Sequence, residues 1–179
     1  MASRLSLAIL LVLAGGSARA QVDEYQVKAA FLYNFAKFVE WPPDTFKTAR
    51  DPITICVLGP NPFGNALEEA VTGKTVEGRS FAVRPLVDPG PGCNCQILFV
   101  SSAERKRLRS LEAALKKAAI LTVGEAQDFA SNGGVINFKL ENGRVRLEVN
   151  LDAAEQARLR ISSKLLSLAE IVRSEKQSR

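Results

Sequence analysis

Between Val27 and Val39 apolar residues recur at spacings of three and four. Val27, Phe31, Phe35, Phe38 and Val39 trace one stripe of a helix that needs a surface to cover it. Tyr25, Phe31, Tyr33, Phe35, Phe38 and Trp41 place six of the chain's twelve aromatic residues in this short segment. Trp41-Pro42-Pro43 then stops the helix, because proline cannot donate to its hydrogen-bond ladder. Beyond this point the period changes. Residues 53–58 (ITICVL) form a continuous apolar run rich in β-formers, the mark of a strand covered on both faces. Residues 64–71 predict a short helix, 79–86 a second strand, and 96–100 (QILFV) a further buried one. Ser101 and Glu104 have capping-box spacing and open a helix whose Leu108, Leu111 and Leu115 share a face, after which 120–123 returns to the sheet.

The last third reads as antiparallel. Gly133-Gly134 precedes an apolar run at 135–140, and Asn142-Gly143 is a two-residue turn signal. After it Val145, Leu147, Val149 and Leu151 alternate with Arg146, Glu148 and Asn150, which gives a hairpin one wet face. A closing helix is expected over 162–173, where Leu165, Leu168, Ala169 and Val172 share a stripe, and 174–179 reads as a flexible tail. Short apolar runs alternating with amphipathic stretches make this an α/β domain. It has a central sheet flanked by helices, a C-terminal antiparallel hairpin and a closing helix.

The first twenty residues have the composition of an export signal. Arg4 supplies positive charge, 5–14 is apolar, and Ala18-Arg19-Ala20 offers small residues for cleavage after Ala20. The apolar run is too short to cross a bilayer of about 30 Å, so the mature chain from Gln21 is expected in the periplasm and not spanning the membrane. Residues 21–173 then suit one domain with a sizeable core. The formal charge is +5, and loss of the leader's Arg4 and Arg19 leaves +3, too small an excess to imply nucleic-acid binding. The basic run 104–117 reads as the solvated face of a helix.

The chain holds no histidine, which removes Ser-His-Asp and Cys-His machinery and the usual zinc sites. Glu24, Glu40, Asp44, Asp88 and Asp128 have no spacing that forces two carboxylates together, and Cys93 has no evident base beside it. No enzyme, metal or cofactor is therefore expected. The loop 59–64 (GPNPFG) follows a strand, but Pro60 and Pro62 lack the N–H groups that would cradle a phosphate. Three cysteines in an oxidising compartment imply one bridge and one free thiol. Cys56 and Cys95 come within bridging range if their strands are neighbours, with Cys93 able to compete. Asn34, Asn137 and Asn150 lie among apolar neighbours and are expected to hydrogen-bond across elements and fix the packing.

The wording of several segments is similar to one family. KAAFLYNFAKFVEWP (28–42), VLGPNPFGNALEE (57–69), CQILFVSS (95–102) and the run from 133 to 169 resemble the YfiR family of small periplasmic proteins. The resemblance implies a Rossmann-like fold, a homodimer, and a Cys56–Cys95 disulfide that leaves Cys93 as the free thiol. It also implies a non-enzymatic repressor that binds the periplasmic sensor domain of an inner-membrane diguanylate cyclase and so lowers cyclic di-GMP. Family members carry a second cysteine pair further on; here no cysteine follows Cys95, so a redox role resting on that pair does not transfer. The competing reading is a periplasmic small-ligand binder using the crevice beyond Leu58 and Val100. Tyr33 and the wet side of the final helix are the surfaces expected to meet a partner.

Overall fold

Seven strands make one mostly parallel sheet, and a single long helix crosses one of its faces. A computed structural model describes residues 15–88, 93–107, 115 and 118–174. Helix α1 (Gly15–Phe38) runs into the two-residue strand β1 (Val39–Glu40), followed by a 3-10 turn at Pro43–Thr45. Strand β2 (Ile53–Leu58), helix α2 (Ala66–Val71) and strand β3 (Phe81–Leu86) come next, then β4 (Ile97–Val100) and a 3-10 segment, Ser102–Arg107. Strands β5 (Leu121–Gly124), β6 (Ile136–Glu141) and β7 (Arg144–Asn150) lead to helix α3 (Leu151–Gln156). Strand β8 (Arg160–Ile161), helix α4 (Ser163–Leu166) and strand β9 (Ala169–Val172) finish the chain. In the order β3-β2-β4-β5-β6-β7-β9, the sheet is parallel from β3 through β6, turns antiparallel at the β6–β7 hairpin, and becomes parallel again between β7 and β9.

Alternation within the buried strands divides the core in two. Ile55, Val57, Ile97, Phe99, Leu121 and Val123 face α1 and α2, whereas Cys56, Leu58, Leu98 and Val100 face a smaller cluster with Leu115, Ile120 and Phe129. The face of α1 that meets the sheet is Lys28, Ala29, Leu32, Phe35 and Ala36, continued by Val39 of β1. Phe31 and Phe38 flank it half-buried, but Val27 is 46% exposed, so the expected stripe is rotated by about one position. Small Ala29 and Ala36 let the helix backbone approach, and Phe31 and Phe35 reach Phe138 on β6 at ring-centre distances of 6.0 and 5.9 Å. The helix end is held by β1 pairing with β8 and by the Ser162 N–H donating to the Phe38 carbonyl at 2.8 Å.

The hairpin turns at Asn142 (φ 51°) and Gly143 (φ 72°), the two left-handed residues that a tight primed turn requires. The closing helix needs correcting. It occupies only Ser163–Leu166, and 169–172 adds to the sheet as β9, beside β7, with Leu168 66% exposed. Four residues are too few for their period to separate helix from edge strand, and here they pair in parallel with Leu147 to Asn150 of β7. Of the helix expected after Ser101, the described part is the 3-10 segment; Leu108 and Leu111 lie outside the described residues and Leu115 is buried. The tail beyond Ser174 and the leader up to residue 14 also lie outside them, and the expected cleavage point after Ala20 falls within α1.

Phe129 is 1% exposed and seated between two glycines. A Cβ at either Gly124 or Gly134 would run into its ring. Replacing Gly134 with alanine should therefore lower stability by about 1–3 kcal/mol through forced displacement of the ring, read as a fall in the denaturation midpoint. Gly143→Ala offers the contrast, since a Cβ there meets nothing within 4 Å and only the backbone conformation is strained.

Candidate functional site

The carboxyl ends of the parallel strands, where open α/β sheets present their ligands, carry the first cluster of polar groups. Lys28 is 4% exposed on the buried face of α1. Its ammonium sits 2.5 Å from Glu24, one turn earlier, and 2.7 Å from Glu125, which follows β5 directly. The Tyr25 hydroxyl donates to the same Glu125 carboxylate at 3.2 Å, and Lys28 lies 4.5 Å over the Tyr25 ring. Burial, then the charge and the hydrogen bond of Glu125, push the Tyr25 phenol well above its ordinary value, so it stays a donor throughout the neutral range. Two carboxylates, a lysine and a neutral phenol satisfy one another here. The cluster pins the middle of α1 to the end of β5.

Next to it, beyond Leu58 and Val100, where the competing reading places a ligand, side chains of the chain itself lie over the strand ends. Glu104 lies over Gly59 so closely that a Cβ there would meet Glu104 Cγ at 2.6 Å, and Gly59 has φ 84°. Phe63, at the end of the 59–64 loop, packs edge-on against Phe99 at 4.7 Å and Tyr25 at 5.5 Å. Asn61 closes that loop by accepting from the Phe63 N–H at 2.9 Å, so the loop is a connection. Arg107 ties Glu104 to Asp88 and to the Val87 carbonyl, fastening the segments after β3 and β4 together.

On the opposite face Cys56 of β2 is bonded to Cys95, with Cα atoms 5.9 Å apart. Both cysteines are buried, and Cys93 is the unbonded thiol, half-buried with its sulfur 3.0 Å from that of Cys95. Burial pushes the Cys93 thiol up, so it is a weaker nucleophile at neutral pH than a free thiol. Gln96 follows, buried between β2 and β4. Its side chain accepts from the Thr54 N–H at 2.8 Å, and its carbonyl accepts from Trp41 Nε1 at 3.3 Å and from the Leu121 N–H at 2.8 Å.

The three asparagines separate. Asn150, fully buried, donates to the Ala130 carbonyl at 2.6 Å and to Ser174 at 2.9 Å, and accepts from the Ala153 N–H at 3.0 Å as the cap of α3. Asn137 donates to Glu148 at 2.8 Å, but its buried oxygen has no partner among the described residues. Asn34 departs from expectation: it is half-buried on α1 and makes no side-chain hydrogen bond among the described residues. Glu125, Gln96 and the glycine slot around Phe129 were not singled out from sequence; a lysine on the apolar face of a helix is the one signal that points to a buried carboxylate partner.

The sequence profile of the family described as YfiR/HmsC-like matches residues 25–170. Among solved structures, a conserved domain protein from Vibrio cholerae O1 biovar eltor is similar at 10% identity with a TM-score of 0.55. The match covers 84% of this chain and 60% of that one, so this chain spans well under the full length of that relative, and the likeness is one of fold. No curated protein matches the sequence significantly.

Replacing Lys28 by alanine should cost about 3–5 kcal/mol, because two carboxylates are left uncompensated, whereas Lys28→Met combined with Glu125→Gln should recover much of it. Chemical denaturation of the two variants against the parent measures the difference. For the sulfurs, non-reducing peptide mapping should return the Cys56–Cys95 peptide, and Cys56→Ser should lose about 4 kcal/mol where Cys93→Ser loses little.

Proposed function

The chain belongs to the YfiR/HmsC-like family, and on that premise we propose that it is a periplasmic, non-enzymatic regulator of cyclic di-GMP signalling. Its action is to bind the periplasmic sensor domain of an inner-membrane diguanylate cyclase and repress it. The observation that carries this reading is the match over residues 25–170, which takes in nearly the whole described domain. Three further features support it. The first twenty residues have the pattern of an export leader. A disulfide links strand β2 to the segment entering β4, as suits an oxidising compartment. The polar cluster at the strand ends is consumed by its own ion pairs, which suits a module that works by docking.

The physics of such repression is a coupling free energy. A regulator that binds the inactive arrangement of the cyclase tenfold more tightly than the active one shifts their ratio tenfold at saturation, worth about 1.4 kcal/mol. Nothing needs to cross the membrane except that difference in population. The repressor acts as one chain or as the homodimer that the family resemblance implies.

Deleting the gene should raise cellular cyclic di-GMP several-fold, and removing the cognate cyclase as well should return it to the starting level. Unchanged cyclic di-GMP in the single deletion, with the protein confirmed present in the parent, would count against repression.

A further inference from the structure

Strand β3 is one end of the seven-stranded sheet, and among the described residues no strand pairs with its outer edge. The Ile53 N–H donates to the Ser80 carbonyl at 2.8 Å, so alternation turns the backbone groups of Ser80, Ala82 and Arg84 toward β2. Those of Phe81 and Val83 face outward, and Pro85, which has no N–H to offer, ends the free ladder on that same side. Along this edge runs an open groove of roughly 330 Å³, between the end of α2 and the strand, lined by Glu68, Thr72, Lys74, Phe81 and Val83 among others. Tyr33 of α1 packs edge-on against Phe81 at 5.5 Å. Over its ring stand two cations, Lys37 at 4.2 Å and Lys74 at 4.5 Å. Neither lysine has an acidic partner within 4 Å among the described residues, and Glu68 across the groove reaches neither.

From this geometry we propose that the β3 edge is a docking site for an extended acidic segment of a partner protein. The segment adds as one more strand against Phe81 and Val83, and its carboxylate side chains meet Lys37 and Lys74 on the α1 side. Main-chain bonds supply the affinity, and the paired ammonium groups supply the preference for acid. A second copy of this chain is the poorer occupant, because edge-to-edge pairing brings the same uncompensated lysines against one another. Pro85 restricts the partner to a short ladder, which makes the contact reversible.

The inference goes beyond the cyclase reading and its test contains no cyclase, so the two stand or fall separately. The probe is a fluorescein-labelled, C-terminally amidated peptide, Thr-Glu-Thr-Val-Thr-Glu-Thr, titrated into the mature, disulfide-bonded chain and followed by polarisation. Saturable binding that weakens with salt is expected, and the counterpart with lysine in place of glutamate should bind about tenfold or more weakly. Lys37→Gln with Lys74→Gln should lose a similar factor. So should Val83→Pro, which removes an outward-facing N–H and the Val83 side chain from the groove while the N–H and carbonyl groups that face β2 are retained. In the parent protein, peptide should also slow hydrogen exchange at the Phe81 and Val83 amides. Equal binding of the lysine peptide, parent-like affinity in a folded Val83→Pro variant, or unaltered exchange at those two amides would each overturn the proposal. So would concentration-dependent self-association that protects the same amides, which would assign the edge to a second copy.

Discussion

The contact on which the rest depends is the crossing of α1 over the sheet. A largely parallel sheet has to be covered on both faces, and here one helix supplies most of the cover on one side. Leu32 and Phe35 are fully buried beneath it, each contributing on the order of 2 kcal/mol through lost apolar exposure. Lys28 fixes how that helix sits. Its ammonium has to meet Glu125 at the end of β5, and the helix can turn or slide only by leaving a charge buried alone. At its C-terminal end β1 and the Phe38 carbonyl clip it to the β8 segment, so α1 is tied at its middle and at its end to parts of the chain distant in sequence.

The other face is closed by different means. Its apolar cluster is smaller, and the Cys56–Cys95 bond links β2 to the segment entering β4 at the centre of the sheet. Gln96 and Trp41 add hydrogen bonds at the same end, so the amino ends of β2, β4 and β5 are joined side by side. Glu104, Phe63 and the Lys28 cluster lie at the carboxyl ends, and among the described residues no strand pairs with the outer edge of β3.

Lys139 shows how the hairpin end of the sheet is held. It reaches Glu148 at 3.2 Å and Glu141 at 3.3 Å, and Glu170 of β9 at 3.8 Å. Their proximity raises its affinity for the proton. These contacts are solvent-exposed and weak individually, but together with Arg173 on Asp152 and Asn150 on Ser174 they favour β9 lying against β7.

Local patterning was enough to place the strands at 53–58, 96–100 and 120–123, because a run of β-formers covered on both faces has few other ways to satisfy its backbone. The Asn142-Gly143 turn was equally legible, since both residues must take a left-handed conformation. The direction of α1's buried face was not, because Val27 and Lys28 exchange places once Glu125, nearly a hundred residues away, arrives to neutralise a lysine. Nor was the fate of 169–172. Four residues that pattern as a helix became a strand when the edge of β7 stood open beside them, and that edge exists only in the assembled sheet. The same holds for Phe129, whose slot is made by two glycines ten residues apart that only folding brings to its two sides. Patterning reads each segment's need for burial and for hydrogen bonds; which distant group answers that need is decided when the chain closes on itself.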